Sequence, residues 1–399
     1  MPHHLKVGRV ISADVDVDTN HLRQLKKFNA RAICFRKSLA ICRKRCYNGK
    51  CNKAGLYVQT RKAHRTRYED NFMYNFQSDF VHQYTGETRE ISDNTVVYHY
   101  TSPEGFLGIL KGESLRFTDI RYMNDKSERV YFVKLLLDFL EGNKGIYPNT
   151  EEKANQILAK NDFDDIRNLR ITNIKYKINF LGDMGSARTF VFCACTDNDS
   201  LNMWNYYVKN GSYQGYNIGF TTRELLRKIG EILPKNDAIS VYYGKVIYSE
   251  KQQLAEIQKM VETIEAKLET ASEKPYLRMF SDVFLKEYID LYGAFYKHPK
   301  FAGEKEYRFV VKVDNWNNEN KFDFKGWLES EENIEEDFCI KKGLVAPYLK
   351  VPFYKDAIKR VTLSPMIEVD IAKQGIEELI YQKKYQKFDV RESKIPLRY

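Results

Sequence analysis

The 399-residue sequence lacks a long uninterrupted apolar run. The longest candidate, 132–140, contains Lys134 and Asp138 and falls short of the roughly 18 apolar residues of a membrane-spanning helix. The first residues, Met-Pro-His-His-Leu-Lys, do not lead into the apolar stretch and small-residue cleavage site of a secretion signal. We therefore expect a soluble, cytoplasmic protein that has no membrane partner.

Motifs of several common enzyme classes are also missing. The sequence contains no G-x-x-x-x-G-K-[ST] phosphate loop, no G-x-G-x-x-G after a strand, no H-E-x-x-H and no G-x-S-x-G. Histidine is scarce, since four of the 7 histidines precede residue 65. These absences argue against nucleotide triphosphatases, dinucleotide-binding dehydrogenases, zinc proteases and common serine hydrolases.

Cysteine usage gives no sign of a disulfide framework, because the total of 7 is odd and no secretion signal is present. Four cysteines lie early in the chain, and their spacers of seven, three and four residues match zinc sites only in part. These are Cys34, Cys42, Cys46 and Cys51. A metal knuckle is therefore the minor alternative, and we assign no metal site.

Positive charge is concentrated in the N-terminal part of the chain. Residues 1–68 hold 17 Lys and Arg against 3 Asp and Glu, a charge of +14, so the net charge of +10 leaves −4 for the remaining 331 residues. Such a segment can neutralise phosphates, which makes nucleic acid a candidate partner. The alternatives are a solvated arm or an extension upstream of a start near Met73. We define a basic, Cys-containing arm at 1–90 and one α+β domain at 91–399.

Strand and helix patterns begin near residue 94. Segment 94–101 is β-branched and aromatic, as strands are, and Ser102 and Pro103 can cap and start a helix that Gly112 would stop. Further strand patterns occur at 114–118, 189–196, 215–221, 239–248, 305–313, 338–341 and 359–363. Helical patterns occur at 126–141, 151–180, 197–207, 223–231, 250–298 and 367–383. Together they predict an α+β fold with a mixed, mostly antiparallel split sheet and helical insertions at about 126–185 and 250–298.

Polar residues inside these patterns are the candidates for chemistry. Alternation along a strand places Glu304, Glu306 and Arg308 on one face. Two carboxylates beside a guanidinium indicate either an ion-pair ladder on an exposed sheet face or a site that stabilises positive charge. The other candidates are His99, Thr101, Arg121, Asn124, Trp204 and Tyr207. Taken singly, such residues more often serve a strand or a core than a ligand.

Several motifs resemble an uncharacterised bacterial family, the domain of unknown function 2971. The similar segments are YHYTSPEGFLGILKG from Tyr98, LRFTDIRYMNDKSE from Leu115, FCACT from Phe192, MWNYY from Met203, GYNIGF from Gly215, EKEYRFV from Glu304 and SKIPLR from Ser393. They occur in order across about 94–398. This resemblance implies no particular activity.

A second, fainter resemblance does imply an activity. A strand ending in His-x-Thr, followed by a Leu-x-x-Ile-Leu helix and a glycine, is similar to the first motif of ADP-ribosyltransferases, particularly those that modify nucleic acid. The likeness implies an ADP-ribosyltransferase-like fold with NAD as co-substrate. His99 would bind a ribose hydroxyl, Glu306 would hold the 2′-hydroxyl of the nicotinamide ribose, and Glu304 would orient the nucleophile. It also associates the chain with toxins and phage defence.

The same resemblance implies a wider cofactor site. A tyrosine or tryptophan would stack on nicotinamide, and Arg121 would hold the pyrophosphate. The implied NAD-binding residues are His99, Thr101, Arg121, Asn124, Trp204, Tyr207 and Arg308. The alternatives are a non-catalytic nucleic-acid-binding module, which would use the basic arm and exposed aromatic residues, and a scaffold without catalysis.

Overall fold

A computed structural model describes much of the chain from residue 78 onward. The described residues are 78, 80–84, 94–123, 128–159, 188–208, 214–232, 239–272, 288–289, 291–313, 335–341 and 343–396. The chain divides into two units, Met1–Tyr74 and Asn75–Tyr399. The early part that contains the basic residues 1–68 and the four early cysteines lies outside the described residues, as does Asn124.

The described strands form one eleven-stranded sheet. They are β1 (Val81–Tyr84), β2 (Val96–Thr101), β3 (Ser114–Asp119), β4 (Arg188–Cys195), β5 (Tyr216–Thr221), β6 (Ile239–Lys245), β7 (Glu306–Val313), β8 (Glu335–Lys341), β9 (Leu344–Pro352), β10 (Ile358–Leu363) and β11 (Asp389–Glu392). The main order is β1-β6-β7-β4-β2-β5-β10-β11, with β3 between β4 and β9, and β8 beyond β9. Among these strand pairs β10 and β11 are parallel and the others antiparallel, which confirms the predicted mostly antiparallel sheet in a mixed α and β fold.

Helices lie between the strands along the chain. They are α1 (Pro103–Gly112), α2 (Glu128–Gly142), α3 (Pro148–Ala159), α4 (Leu201–Tyr207), α5 (Thr222–Ile232), α6 (Glu250–Ser272) and α7 (Val369–Lys383). Of the predicted insertions, the first contains α2 and α3 and the second contains α6. Within the described ranges, no helix has the length and apolar character needed to cross a membrane.

Helix α1 forms as the residues around it predict. Ser102 accepts a hydrogen bond from Gly105 N at 3.2 Å, and Pro103 occupies the first turn, where a missing N–H costs little. The helix ends at Gly112, but the residue in the left-handed conformation is the next one, Glu113, with φ of 48°. Gly112 is therefore the last helical residue rather than the residue after the helix.

One edge of β4 is shared by two strands that diverge. Tyr98 of β2 pairs with Cys195 at one end of β4, and Thr118 of β3 pairs with Val191 nearer the other end. The opposite edge of β4 pairs with β7 along its whole length. Within the described part of the chain, residues 192–194 therefore lack a strand partner on the first edge. This opening between β2 and β3 positions the candidate site.

A large aromatic and aliphatic core holds this arrangement in place. Phe190, Phe192 and Phe309 are buried on the central strands, where Phe192 packs against Phe117 with ring centroids 5.6 Å apart. Burying a phenylalanine side chain contributes about 1.5–3 kcal/mol, so the central strands are well determined by packing. The core makes the backbone around the opening a rigid frame.

The sheet also includes a strand that precedes the predicted domain start at residue 91. Strand β1 pairs antiparallel with β6, with Val81 opposite Gly244. The strands approach so closely there that a Cβ on Gly244 would lie 1.9 Å from Phe80 O, so only glycine fits. Strand β1 is four residues long and buries its first and last residues, so it lacks the alternation by which strands are recognised in a sequence.

Candidate functional site

A cavity of about 490 Å³ lies at the opening between β2, β3 and β4. Its volume is within the range of about 300–1,000 Å³ that is common for small-molecule sites. The residues that line it and bear on its chemistry are His99, Arg116, Tyr207, Lys297, Glu304, Glu306 and Lys341. They come from five separate parts of the chain.

Two neighbouring carboxyl groups form the acidic pair of this cavity, Glu304 and Glu306. Glu304 ends a 3-10 segment, Pro299–Glu304, and Glu306 begins β7, while Lys305 between them is left-handed with φ of 45°. The turn at Lys305, rather than strand alternation, brings the two carboxyl groups to one cation. Lys297 Nζ lies 2.5 Å from Glu304 Oε2 and 2.9 Å from Glu306 Oε1.

Arg308 lies behind the acidic pair rather than at the cavity. Its Nε and Nη2 contact Glu306 Oε2 at 2.6 Å and 2.5 Å, and its Nη1 donates to Ala294 O at 2.6 Å. Arg308 is 0% exposed and Glu306 3%. The group is therefore a buried network beside a cavity and not a ladder on an exposed face.

The surroundings of the acidic pair drive its two pKa values apart. Burial alone would raise the pKa of Glu306, but Arg308, the hydrogen bond with Glu304 and the Lys297 ammonium together lower it below the ordinary value. Burial and the hydrogen bond with Glu306 raise the pKa of Glu304 to about 7. Near neutral pH the pair thus holds one firmly ionised carboxylate and one that exchanges its proton.

His99 lies on β2 and lines the same cavity. Its Nδ1 is 3.1 Å from Cys193 O, so Nδ1 carries the proton and donates to this carbonyl. Burial lowers the pKa of His99, which favours the neutral ring. The ring packs on Phe192 with centroids 5.0 Å apart, and Nε2 is the nitrogen that can accept a hydrogen bond from a ligand.

Tyr207, at the end of α4, lines the cavity as well. Burial and the nearby Glu306 carboxylate raise its pKa, so its phenol remains a neutral donor. The preceding residue, Tyr206, also lines the cavity but is 65% exposed. An aromatic wall therefore runs from the interior to the surface along α4.

Trp204, the other aromatic candidate, lies in the core and does not line the cavity. It is 0% exposed and packs edge-on against Tyr100 with centroids 4.7 Å apart. Its Nε1 donates to Asp199 Oδ1 at 2.9 Å, and Asp199 also accepts from Ser393 Oγ and Lys394 N, both at 2.7 Å. This contact attaches the C-terminal segment to α4 and thereby supports the position of Tyr207.

Arg121 and Thr101 are likewise not among the cavity residues. Arg121 lies in the 3-10 turn after β3, where its Nε and Nη2 donate to Asp119 at 3.0 Å and 2.8 Å. Thr101 ends β2 beside α1, where its Oγ1 would lie 2.0 Å from a Cβ on Gly105. The structure therefore brings together His99, Tyr207 and the acidic pair, with Arg308 behind them.

Three cationic residues at the cavity, Arg116, Lys297 and Lys341, were not among the sequence candidates. Lys297 lies near the end of segment 250–298, which the sequence pattern predicted to be helical, and nothing in that pattern marks it as a site residue. Its carbonyl accepts from Gln253 Nε2 at 2.9 Å, and the same nitrogen donates to Ile247 O at 2.7 Å. Helix α6 thus holds the backbone that carries Lys297.

Comparison with known protein families gives a match over part of the chain. Residues 203–309 match the model of the family described as "Protein of unknown function (DUF2971)". The matched region runs from α4 into β7 and includes Tyr207, the acidic pair and Arg308, whereas His99 precedes it. No curated protein and no solved structure matched the chain.

Proposed function

We propose that this protein is an ADP-ribosyltransferase-like enzyme that uses NAD and lodges the nicotinamide ribose in the cavity. The observation that carries the proposal is that His99 and Glu306, far apart in the sequence, line one cavity together with Tyr207. His99 supplies a neutral hydrogen-bond acceptor, Tyr207 an aromatic side chain and Glu306 a fixed carboxylate. These are the groups that the sequence resemblance requires of such a site.

NAD would supply a C–N glycosidic bond whose cleavage places positive charge on the ribose. A carboxylate fixed before the reaction stabilises charge of that sign where it develops. Three N–H groups of Lys297 and Arg308 already contact Glu306. Its carboxylate is therefore rigid and ionised, and we assign it an electrostatic role beside the ribose.

Glu304 suits the role of the base that takes the proton from the acceptor. Its pKa of about 7 lies near physiological pH, where a base is both present in its ionised form and able to hold a proton. In the transfer, the bond from ribose C1′ to nicotinamide breaks and a bond from C1′ to the acceptor atom forms. Nicotinamide leaves with the electron pair of the broken bond, and the acceptor's proton passes to Glu304.

The net charge of the site becomes more positive as pH falls. With Glu304 ionised, the two carboxylates balance Lys297 and Arg308, whereas protonation of Glu304 leaves one excess positive charge. Positive charge on the ribose is less favourable when Glu304 is protonated. We therefore expect the rate of nicotinamide release to rise as pH increases through about 7.

The test is release of nicotinamide from NAD, with and without RNA, DNA and protein acceptors. Glu306→Gln should lower the rate by about a hundredfold or more, as loss of a preorganised electrostatic group does. Glu377→Gln, an exposed change on α7, is the matched control and should retain the wild-type rate. No release above the Glu306→Gln level with any acceptor would contradict the proposal.

A second variant keeps the test valid if Glu306→Gln folds poorly. Glu304→Gln imitates the protonated carboxyl and preserves the hydrogen bond to Glu306. It should remain folded, act more slowly than the wild type and lose the rise in rate through about pH 7. A wild-type pH dependence that survives in Glu304→Gln would assign the titration to another group.

A further inference from the structure

We propose that Arg116 and Lys341 form a phosphate subsite in the cavity, which selects ligands that carry a diphosphate. Both side chains line the cavity that the acidic pair also lines. Their strands, β3 and β8, are not the strands that carry His99 and Glu306. The cavity thus combines a carboxylate region and a cationic region, as a ligand with a ribose and a diphosphate would need.

The guanidinium of Arg116 packs on an aromatic ring. Its guanidinium carbon lies 4.9 Å from the centre of the Tyr348 ring, and Tyr348 Oη donates to Asp337 Oδ2 at 2.6 Å. Stacking uses the flat face of the guanidinium, and the in-plane N–H groups are the donors that grip phosphate oxygens in pairs. A fixed aromatic support reduces the side-chain entropy lost on binding.

The two cations belong to one connected unit of three strands. Strand β3 pairs with β9, where Arg116 lies opposite Lys350, and β9 pairs with β8 up to Lys341 opposite Leu344. An ion pair of 2.6 Å between Arg188 Nη1 and Glu336 Oε1 joins β8 to β4. In this register Arg116 is level with Glu335, six residues along β8 from Lys341, and its guanidinium packs on Tyr348, a residue nearer to the Lys341 end of β9.

The arginine predicted for this role, Arg121, does not reach the cavity because Asp119 holds its guanidinium at 2.8–3.0 Å. Arg116 lies five positions earlier, on β3 itself, and its side chain meets the opening between β2 and β3. The diphosphate of NAD is the ligand group expected at this subsite, and in that choice of ligand the inference rests on the proposed function.

The test is calorimetric titration at constant salt with ADP-ribose, inorganic pyrophosphate and nicotinamide riboside, which has no phosphate. Arg116→Gln should weaken binding of ADP-ribose and of pyrophosphate by about tenfold or more, as the loss of a charged hydrogen-bonding partner does. Binding of nicotinamide riboside should change by less than about twofold. Lys341→Gln should show the same selectivity with a smaller loss, since a lysine does not bind two oxygens in a fixed plane.

Lys350→Gln is the matched control. It removes the same charge from the residue opposite Arg116, but Lys350 does not line the cavity. Equal weakening by Lys350→Gln and Arg116→Gln would mean a general loss of positive charge and would overturn the subsite. Equal loss of all three ligands in Arg116→Gln, or no binding of either phosphate ligand to the wild type, would overturn it as well.

The subsite and the transferase proposal can fail separately. If ADP-ribose binding depends on Arg116 but NAD is not consumed, the subsite stands and the enzymatic proposal falls. If NAD is consumed and Arg116→Gln leaves both KM and phosphate binding unchanged, the enzymatic proposal stands and the subsite falls. Melting temperatures of all variants show whether each remains folded.

Discussion

Two groups of charged residues contain equal numbers of acids and bases but differ in their exposure to solvent and in their relation to the cavity. One joins the acidic pair, Glu304 and Glu306, to Lys297 and Arg308 beside the cavity. The other, which we call the Asp119 cluster, consists of Asp119, Arg121, Arg188 and Glu336. Each contains two carboxylates and two cations. Lys297, Glu304 and Glu306 of the first group line the cavity between β2, β3 and β4, whereas no residue of the Asp119 cluster lines that cavity.

The two groups differ in how exposed their side chains are to solvent and in which elements their ion pairs connect. Side chains of the first group are 0–11% exposed, whereas Arg121 and Glu336 of the Asp119 cluster are 31% and 24% exposed. The ion pairs of the Asp119 cluster link three strands, β3, β4 and β8. The number of charged side chains in a group therefore does not identify a site. Charged side chains that are shielded from solvent and border an open cavity do indicate one.

The largest expected effect is on Arg308, the buried cation of the first group. Arg308→Met preserves much of the volume but leaves Glu306 buried, with Lys297 as the remaining cation in contact with it among the described residues. We therefore expect a loss of about 3–5 kcal/mol in the free energy of unfolding. Urea denaturation measures it. A loss under about 1 kcal/mol would show that the first group resembles a surface ion pair.

A pH-dependent loss of stability is expected next, and it comes from Glu304. Folding raises its pKa from 4.5 to about 7, so the folded state binds this proton more tightly than the unfolded state does between those values. The contribution to stability is complete below pH 4.5 and is lost as pH rises toward 7. Glu304→Gln should not show this loss.

Denaturation of the wild type and of Glu304→Gln at several values between pH 5 and 8 isolates the effect. We expect the wild type to lose stability relative to the variant across this range, with the slope flattening above about pH 7. Parallel curves for the two proteins would show that the acidic pair titrates as an ordinary exposed carboxyl would.

The smallest effect is expected in the Asp119 cluster. Arg121→Met removes a partly exposed partner while Arg188 remains bound to Asp119, so the loss should stay within about 1 kcal/mol. The rate of nicotinamide release should not change, because Arg121 does not line the cavity. A large loss of activity would return Arg121 to the role that the sequence suggested for it.

The local patterns of the sequence were informative about most elements. The strand at 94–101, the helix that follows it and the strand at 305–313 correspond to β2, α1 and β7 within a few residues. Strands β1, β9 and β11 were missed. Strands β1 and β11 have four residues each, and β9 contains Pro347, a residue that disfavours a strand assignment.

The candidate residues differ in how far their positions depend on parts of the chain that are distant in sequence. Glu304, Glu306 and Arg308 are neighbours in sequence, and a short segment was enough to predict that they meet. Trp204 and Arg121 were chosen from their place in or beside predicted elements and from the resemblance to ADP-ribosyltransferases. Their side chains instead contact Asp199 and Asp119. Their place in the core and in an ion pair depends on how α4 and β3 pack against the sheet.

The sequence by itself determined the apolar and polar periodicity, the basic N-terminal segment and the grouping of two acids with an arginine, because each depends on residues close together in the chain. Only the tertiary structure decided that His99, Arg116 and Lys297 share a cavity with the acidic pair, since the pairing of β2, β3 and β7 around β4 is made of long-range contacts. It also decided the protonation of Glu304. A pKa depends on lost solvent and on charges a few ångströms away, and sequence distance measures neither.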